Sequence, residues 1–521
     1  MQSDNTAYQK SVAALIAQRY TGPTMSVNAT HPEYDASLAA WQRARDVMAG
    51  EDAVKAAGEK YLPRLDVQSD AEYAAYRCRA SFFNATARTA DGYVGLVFRR
   101  APFQRLPSPK SSLGHALATF VNDADLLGTS LYGYAKNVVA EVIAVGRVGT
   151  LVDWEDTVEH RVYATMYAAE SILNWQVQRI NGRNIPTLVV LRETVEVPVA
   201  SSAVDFTTAP VEQIRVLRLA ALPTSTPRKS EARQDYGCVV EIYRRPETTS
   251  RQSQSEWALV EARTPLRRGK PLPLLPFIFH GPRHSRPAVD KLPLSDVIFL
   301  NLDHYRLNAD FKHGVHYTAL PTAWVSGFPN EASLRIGSST AWHTETTGAT
   351  AGFLEFTGHG LNTFEKALDR DERQMAVLGS RLLAEEKKVG ETAEAMELRQ
   401  TGENSILANL ATSVSESVTQ MLRWVHWWNS SEDTPDQVTD QQVLFELNTD
   451  YNPKGMTALE LSAVVKSWQA GAISLDTMQE LLRKGEILPD GRTSEEEQRL
   501  LQQTRPPVPM KALSTSHSSP P

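Results

Sequence analysis

The stretch from 294 to 322 reads LSDVIFLNLDHYRLNADFKHGVHYTALPT. Leu294, Val297, Ile298, Leu302, Tyr305 and Phe311 fall on one helical face, which predicts a helix of about five turns. It follows a proline-dense segment, Pro271 to Pro287, and gives way at Pro321, because proline cannot continue a helix. Next, the Gly/Ser/Thr-rich segment 326–360 and its margins hold strand-like pieces at Ala323-Trp-Val325 and Gly352-Phe-Leu-Glu-Phe356. A second helix begins near Leu361, with Phe364, Leu368 and Met375-Ala-Val-Leu378 as its apolar residues. A small β excursion between two helices is the feature from which the rest of the chain is read.

Toward the C-terminus, the charged run Ala384-Glu-Glu-Lys-Lys-Val-Gly-Glu breaks the second helix. Beyond it Ile406, Leu410, Val414, Val418, Met421, Val425 and Trp428 recur at spacings of three and four, enough for about seven turns of amphipathic helix. A helix over Ala458 to Trp468, a turn at Gly471-Ala-Ile-Ser474 and a second helix over Thr477 to Arg483 follow, with Ser474 as cap. The tail from Arg505 is Pro/Ser-rich and reads as flexible.

Toward the N-terminus, Ser37 to Glu59 is Ala-rich and helical, ending at Tyr61-Leu-Pro63. Asp70 is read as the N-cap of a helix whose face carries Tyr73, Tyr76, Ala80, Phe83 and Ala87. A further helical stretch runs through Ala116, Phe120 and Leu126, and Gly133 opens a segment that ends in Val148 to Asp153. From Glu159 to Pro276 the text changes to short β-branched runs, Thr187 to Leu191, Val195 to Val197, Ile214 to Leu219, Val239 to Tyr243 and Trp257 to Glu261. These predict an antiparallel meander, with Pro223 to Gln234 as an exposed loop. The fold class is α+β.

The 521 residues carry 54 Lys+Arg and 61 Asp+Glu, a formal charge of −7. That argues against a protein that grips nucleic acid over a broad surface. Two cysteines, Cys78 and Cys238, exclude a disulfide framework or an all-cysteine metal site. The polar first ten residues and the lack of any long apolar run predict neither a signal peptide nor a membrane span.

No Walker A loop, Gly-x-Gly-x-x-Gly, Gly-x-Ser-x-Gly elbow or His-Glu-x-x-His pair occurs. No catalytic residue, metal ligand set or cofactor is assigned. His304 and His313 are nine residues apart, on opposite sides of one helix, and are read as polar positions on an exposed or pore-facing helix. His280 and His284 flank Gly281-Pro282 and read as loop histidines. Asp369-Arg-Asp371-Glu372 suggests either a metal site for a DNA-processing enzyme or, with Arg370 and Arg373 interleaved, an ion-paired helix face, and the second is preferred. Trp424, Trp427 and Trp428 beside Arg423 suit base stacking or, more simply, packing.

The order of elements, together with Tyr61-Leu-Pro-Arg-Leu65, Ser69-Asp70, Phe82-Phe-Asn-Ala-Thr86, Asp91 to Phe98, Leu302-Asp-His-Tyr305, His313 to Thr322 and Gly402-Glu-Asn-Ser-Ile-Leu407, resembles the portal proteins of tailed bacteriophages. The resemblance implies a ring, usually of twelve subunits, at one capsid vertex, through which DNA is packaged and ejected. It implies a wing over 1–290, a first stem helix over 291–318, a clip over 319–360, a second stem helix over 361–379 and a tunnel loop over 380–395. A long wing helix and return over 396–445, a crown over 446–504 and a flexible tail over 505–521 complete it. The implied partners are further copies of the chain, the major capsid protein, the terminase large subunit, a head-tail adaptor and double-stranded DNA without sequence specificity, with no membrane. The implied location is the virion, after assembly in the host cytoplasm.

On that resemblance, Lys387 and Lys388 repeated around a ring would form a cationic collar with easily exchanged phosphate contacts, and Lys312, His313 and His316 are further DNA-facing candidates. Trp324, Phe328, Trp342 and Phe353 are the candidates for docking through the clip. The competing readings are a metal-dependent DNA-processing enzyme and another minor virion or adaptor protein.

Overall fold

In the computed structural model of the chain, the residues described are 26–198, 208–222, 236–245, 257–319, 322–328, 342–354, 360–379, 393–449, 451, 456, 458–485, 487–488 and 494–503. The loop expected over Pro223 to Gln234, the charged break around 384–391 with Lys387 and Lys388, and the tail beyond Arg505 lie outside them.

The first expected helix is two helices, Pro32–Ala49 (α1) and Glu51–Ala56 (α2). Gly50 separates them with φ +99°, a conformation that favours glycine. The next expected helix is also divided, into Asp70–Arg79 (α3) and Ala85–Val97 (α4). Its N-cap is Ser69 rather than Asp70: the Ser69 hydroxyl accepts from the Glu72 amide while the Glu72 carboxylate accepts from the Ser69 amide, a capping box. Asn84 caps α4, accepting from the Ala87 amide at 3.0 Å.

Phe103–Arg105 (β1), Ser112–Asn122 (α5) and Leu131–Val145 (α6) follow, and then the strands begin. Val148–Trp154 (β2) and Val162–Ala168 (β3) make one hairpin. Ile172–Ile180 (β4), Arg183–Pro198 (β5), Thr208–Ala221 (β6), Tyr236–Arg244 (β7) and Ala258–Arg263 (β8) form a five-stranded antiparallel meander in chain order. The runs at 187–191 and 195–197 are thus one strand, β5. A small hairpin, Leu266–Arg267 (β9) with Lys270–Pro271 (β10), leads to Phe277–His280 (β11), which pairs with β2 to complete a three-stranded sheet β11-β2-β3. At Gly149 an added Cβ would lie 2.3 Å from the Phe277 ring, so this pairing requires glycine there.

The C-terminal region consists of Ser295–Ala319 (α7), Thr322–Ser326 (β12), Thr350–Leu354 (β13), Leu361–Gly379 (α8), Ala393–Asn429 (α9), Leu444–Glu446 (β14), Ala458–Gln469 (α10), Leu475–Lys484 (α11) and Ser494–Gln503 (α12). Ser474 caps α11, accepting from the Thr477 amide at 3.1 Å. The fold is α+β.

From Leu407 to Asn429, α9 is buried almost all round, with Asn409, Thr412, Glu416 and Gln420 as its exposed stripe. Its small hydroxyl residues stitch the sheets to it in two i,i+4 pairs. Ser413 donates to Gly281 O at 2.8 Å and Ser417 meets His280 Nδ1 at 2.7 Å. On the next face Ser415 accepts from the Leu447 amide at 2.9 Å, and Thr419 exchanges bonds with the Phe445 amide and carbonyl at 3.0 and 3.1 Å. His280 is therefore no loop histidine. It ends β11, is 1% exposed, and its Nε2 meets the Thr150 hydroxyl at 2.7 Å. Burial pushes its pKa down to about 3, so it is neutral in the fold. Trp424, Trp427 and Trp428 are buried, with Trp154 stacked on Trp428 at 5.7 Å and the Arg267 guanidinium 4.2 Å from the Trp427 ring centre. They are core, leaving no open face for bases.

Candidate assembly and channel surface

Helix α7 presents two polar stripes to the N-terminal helices. One stripe is Asn301, Tyr305, Asn308 and Lys312, spaced four, three and four, which places them along one face. Asn301 donates to Phe83 O at 2.7 Å and accepts from the Thr86 amide and hydroxyl at 3.2 and 2.9 Å. Tyr305 packs edge-on against Phe82, Asn308 accepts from the Ser81 amide at 3.0 Å, and Lys312 donates to the Ser81 hydroxyl. The neighbouring stripe is Arg306, Asp310 and His313. Arg306 donates to Tyr61 O at 2.9 Å, Asp310 accepts from the Tyr76 hydroxyl at 2.5 Å, and Arg79 lies 3.1 Å from His313 Nδ1.

This clamp explains why the helix expected across residues 70–87 breaks between Arg79 and Ala85. Outside a helix, the Ser81 amide and the Phe83 carbonyl need partners, and the two asparagines supply them, the Phe83 carbonyl also accepting from the Ala85 amide at 2.8 Å. Thus the Phe82-Phe-Asn-Ala-Thr86 block and, from the Leu302-Asp-His-Tyr305 and His313 to Thr322 blocks, Tyr305 and His313 belong to one joint. Lys312 and His313 are partly buried with polar atoms engaged in it, and burial with the nearby Arg79 guanidinium holds the His313 pKa below its usual value. His316 lies one turn further on, against Tyr317 at 5.5 Å. Periodicity of the apolar residues finds none of Asn301, Arg306, Asn308 or Asp310; the readable signal is polar residues repeating at three and four on a partly buried helix.

Opposite the clamp, α8 packs against α7, burying Leu368, Asp371 and Met375 and leaving Glu365, Lys366, Asp369, Arg370, Glu372 and Arg373 exposed. Arg373 pairs with Asp369 at 3.7 Å, an exposed ion pair. Asp371 departs from the solvated-face expectation: its side chain is 4% exposed, 3.5 Å from Arg370. His304 also differs from the exposed position expected of it. Its side chain is 5% exposed, with Nε2 3.4 Å from Glu372 and the ring beside Phe83. Helix α8 covers a position that the sequence alone places on an outer face. Among the described residues, no three His, Cys, Asp or Glu side chains come together as a metal site.

At the far end of the helix pair, β12 and β13 form a two-stranded antiparallel ribbon with Trp324 opposite Gly352 and Ala323 opposite Phe353. Trp324, Phe353 and Leu354 are 46%, 56% and 52% exposed. Trp342 lies 6.4 Å from Phe353, ring centre to ring centre, and Phe328 is partly buried just past β12. The indole of Trp324 lies close over Gly352, where an added Cβ would stand 3.0 Å from the indole nitrogen. Among the described residues no further strand pairs with either edge.

The family described as a domain of unknown function (DUF4055) matches residues 293–429. This span runs from α7 through the ribbon and α8 to the end of α9, about a quarter of the chain. No curated protein matches the chain. It is similar to a chain in the neck of an empty gene transfer agent (GTA) particle computed with C6 symmetry, at 10% identity and TM-score 0.37 over 77% of this chain and 90% of that one. A chain in the virion of a native GTA particle is similar at 11% identity and TM-score 0.36, over 84% and 99%. A chain in the neck of a native GTA particle computed with C12 symmetry is similar at 12% identity and TM-score 0.33, over 76% and 89%. No helix among the described residues is long and apolar enough to cross a membrane.

Proposed function

We propose that this chain is a structural subunit of a tailed-phage virion and, more specifically, the portal protein. In this reading copies of it form a ring at one capsid vertex, which conducts DNA during packaging and ejection and docks terminase and head-tail adaptor. The observation that carries it is the ribbon β12–β13 at the end of the α7–α8 pair. A two-stranded ribbon with a tryptophan and a phenylalanine half exposed is marginal in water by itself, so its stability calls for neighbours outside the chain. The residue blocks that resemble portals support the same reading, since several of them build the joint that sets this helix pair against the wing. The mixed charge on the exposed face of α8 suits a wall that DNA slides past, because a uniformly basic wall would hold phosphate. Lys387 and Lys388, by the resemblance, would supply the one cationic collar.

Electron imaging of the purified protein, with mass photometry to count subunits, tests the proposal. A ring of about twelve copies around a channel wide enough for a duplex of ~20 Å is expected. A protein that stays monomeric in all conditions, and particles whose vertices hold no ring containing it, would overturn it.

A further inference from the structure

Two tight turns meet at one corner of the wing region, Asp123 to Thr129 between α5 and α6, and Glu155 to Arg161 between β2 and β3. Each contains a non-glycine residue in the left-handed region, Leu126 at φ +64° and His160 at φ +49°. Each is held by carboxylates that collect backbone amides. Asp125 accepts from Leu127 and Thr129 at 3.0 and 3.2 Å, and Asp123 from Gly128 at 3.0 Å. Glu155 accepts from the amides of Thr157, Val158, Glu159 and His160 at 2.8, 3.0, 2.6 and 3.2 Å, and from the Thr157 hydroxyl. The hydroxyl and these amides hold the Glu155 carboxyl well below the usual carboxylate range, so it stays ionised in mild acid.

The turns are also tied to each other. Arg161 donates to the Asp123 carbonyl at 2.6 Å and to its carboxylate, and the Ala164 amide donates to Ala124 O at 2.8 Å. What this framework presents outward is apolar: Leu127 at 86% and Val158 at 79% exposed. Leu127 lies four residues after Asp123 and Val158 three before Arg161, the pair that joins the turns. The two turns contain five carboxylates, Asp123, Asp125, Glu155, Asp156 and Glu159, and one guanidinium, that of Arg161, which also meets Glu159 at 3.4 Å.

We propose that this corner docks a basic segment of a different polypeptide, one whose apolar residues are flanked by lysine or arginine. The two tips supply apolar surface, and the locked turns have little freedom left to lose on binding. The excess of carboxylates selects the partner by complementarity, steering basic segments in and turning nucleic acid away. A symmetric pairing of two such corners would set carboxylate against carboxylate, so a second copy docked face to face does not fit. The inference does not depend on the portal reading.

The test uses the full-length protein and three labelled peptides read by fluorescence anisotropy at low salt. The first carries Leu-Ile-Leu-Val flanked by three Lys/Arg on each side, the second replaces the basic residues with glutamate, and the third replaces the apolar residues with serine. Expected are binding of the first alone, a loss of at least tenfold on Leu127→Ser with Val158→Ser, and a similar loss on Asp156→Lys. All three positions lie on exposed tips, and unchanged thermal melting verifies that the variants fold. No binding of the first peptide, equal binding to the Leu127→Ser/Val158→Ser protein, or equal binding of the third peptide would each overturn the proposal.

Discussion

Replacing Asn301 by alanine tests the claim that polar stripes on α7 fix the N-terminal helices against the helix pair. Asn301 is fully buried and satisfies three groups, the Phe83 carbonyl and the Thr86 amide and hydroxyl. The truncation leaves the Thr86 amide and hydroxyl without a partner, at about 1–3 kcal/mol each where no water enters, while the Phe83 carbonyl keeps the Ala85 amide at 2.8 Å. Counting the lower figure for these two gives about 2 kcal/mol, a factor of about 30 in an opening equilibrium. Native-state hydrogen exchange of amides in α4 and α7 is the assay, because local opening is read without assuming that so long a chain unfolds in one step. Thr86→Val is the comparison: it removes only the hydroxyl and leaves Asn301 its bonds to the Thr86 amide and Phe83 carbonyl, so about 1 kcal/mol is expected. The double variant should cost less than the sum of the two, since the single changes both delete the Asn301–Thr86 hydroxyl bond. Exchange in Asn301→Ala within about threefold of wild type would refute the reasoning and make the joint a matter of apolar packing alone.

Ser69→Ala should loosen the first turn of α3 by about 1 kcal/mol, seen as faster exchange of the Glu72 and Tyr73 amides. Asp70→Ala, which leaves the cap intact, should not do so. His280 is neutral in the fold with its pKa lowered to about 3, against about 6.5 in an unfolded chain, so the unfolded state binds the extra proton. Stability contributed by this site is therefore constant above about pH 6.5 and falls as pH drops toward 3, by up to about 1.4 kcal/mol per unit. In His280→Gln, denaturant titrations at pH 6 and pH 4 should show a correspondingly smaller loss than wild type. Trp324→Ser with Phe353→Ser removes half-exposed rings from the ribbon, so the monomer's melting should stay close to wild type while oligomers seen on dilution by mass photometry weaken at least tenfold. Unchanged assembly would show that the ribbon is not at an interface.

Long apolar stripes were the most legible feature of the sequence. Much of the buried face of α7, α8 and α9 follows from spacings of three and four, since burial of one side is dictated locally by period, whereas Val377, Leu378 and Ile406, at 57%, 48% and 70% exposed, lie outside it. Helix breaks were less legible. The residues from Tyr73 to Ala87 keep a helical apolar period straight through the gap between α3 and α4, and nothing local forbids a continuous helix there. The break exists because Asn301 and Asn308, more than two hundred residues away, offer the backbone of Ser81, Phe83 and Thr86 partners that compete with the helix. His304 and His280 misled for a related reason: an imidazole reads as polar, and whether α8 or α9 covers it is settled by packing between distant elements.

The sequence by itself determined the fold class, the helix–ribbon–helix order, the meander and the capped pair near the C-terminus, because period, proline and turn chemistry act over a few residues. Tertiary structure alone decided that Ser413/Ser417 and Ser415/Thr419 serve two different partners on two faces of α9, and that β11 closes a sheet with β2 and β3. It also decided that Asp123 and Arg161 lock two turns into one corner. Each of these depends on a hydrogen bond between segments far apart in the chain, and such a bond leaves no period to read.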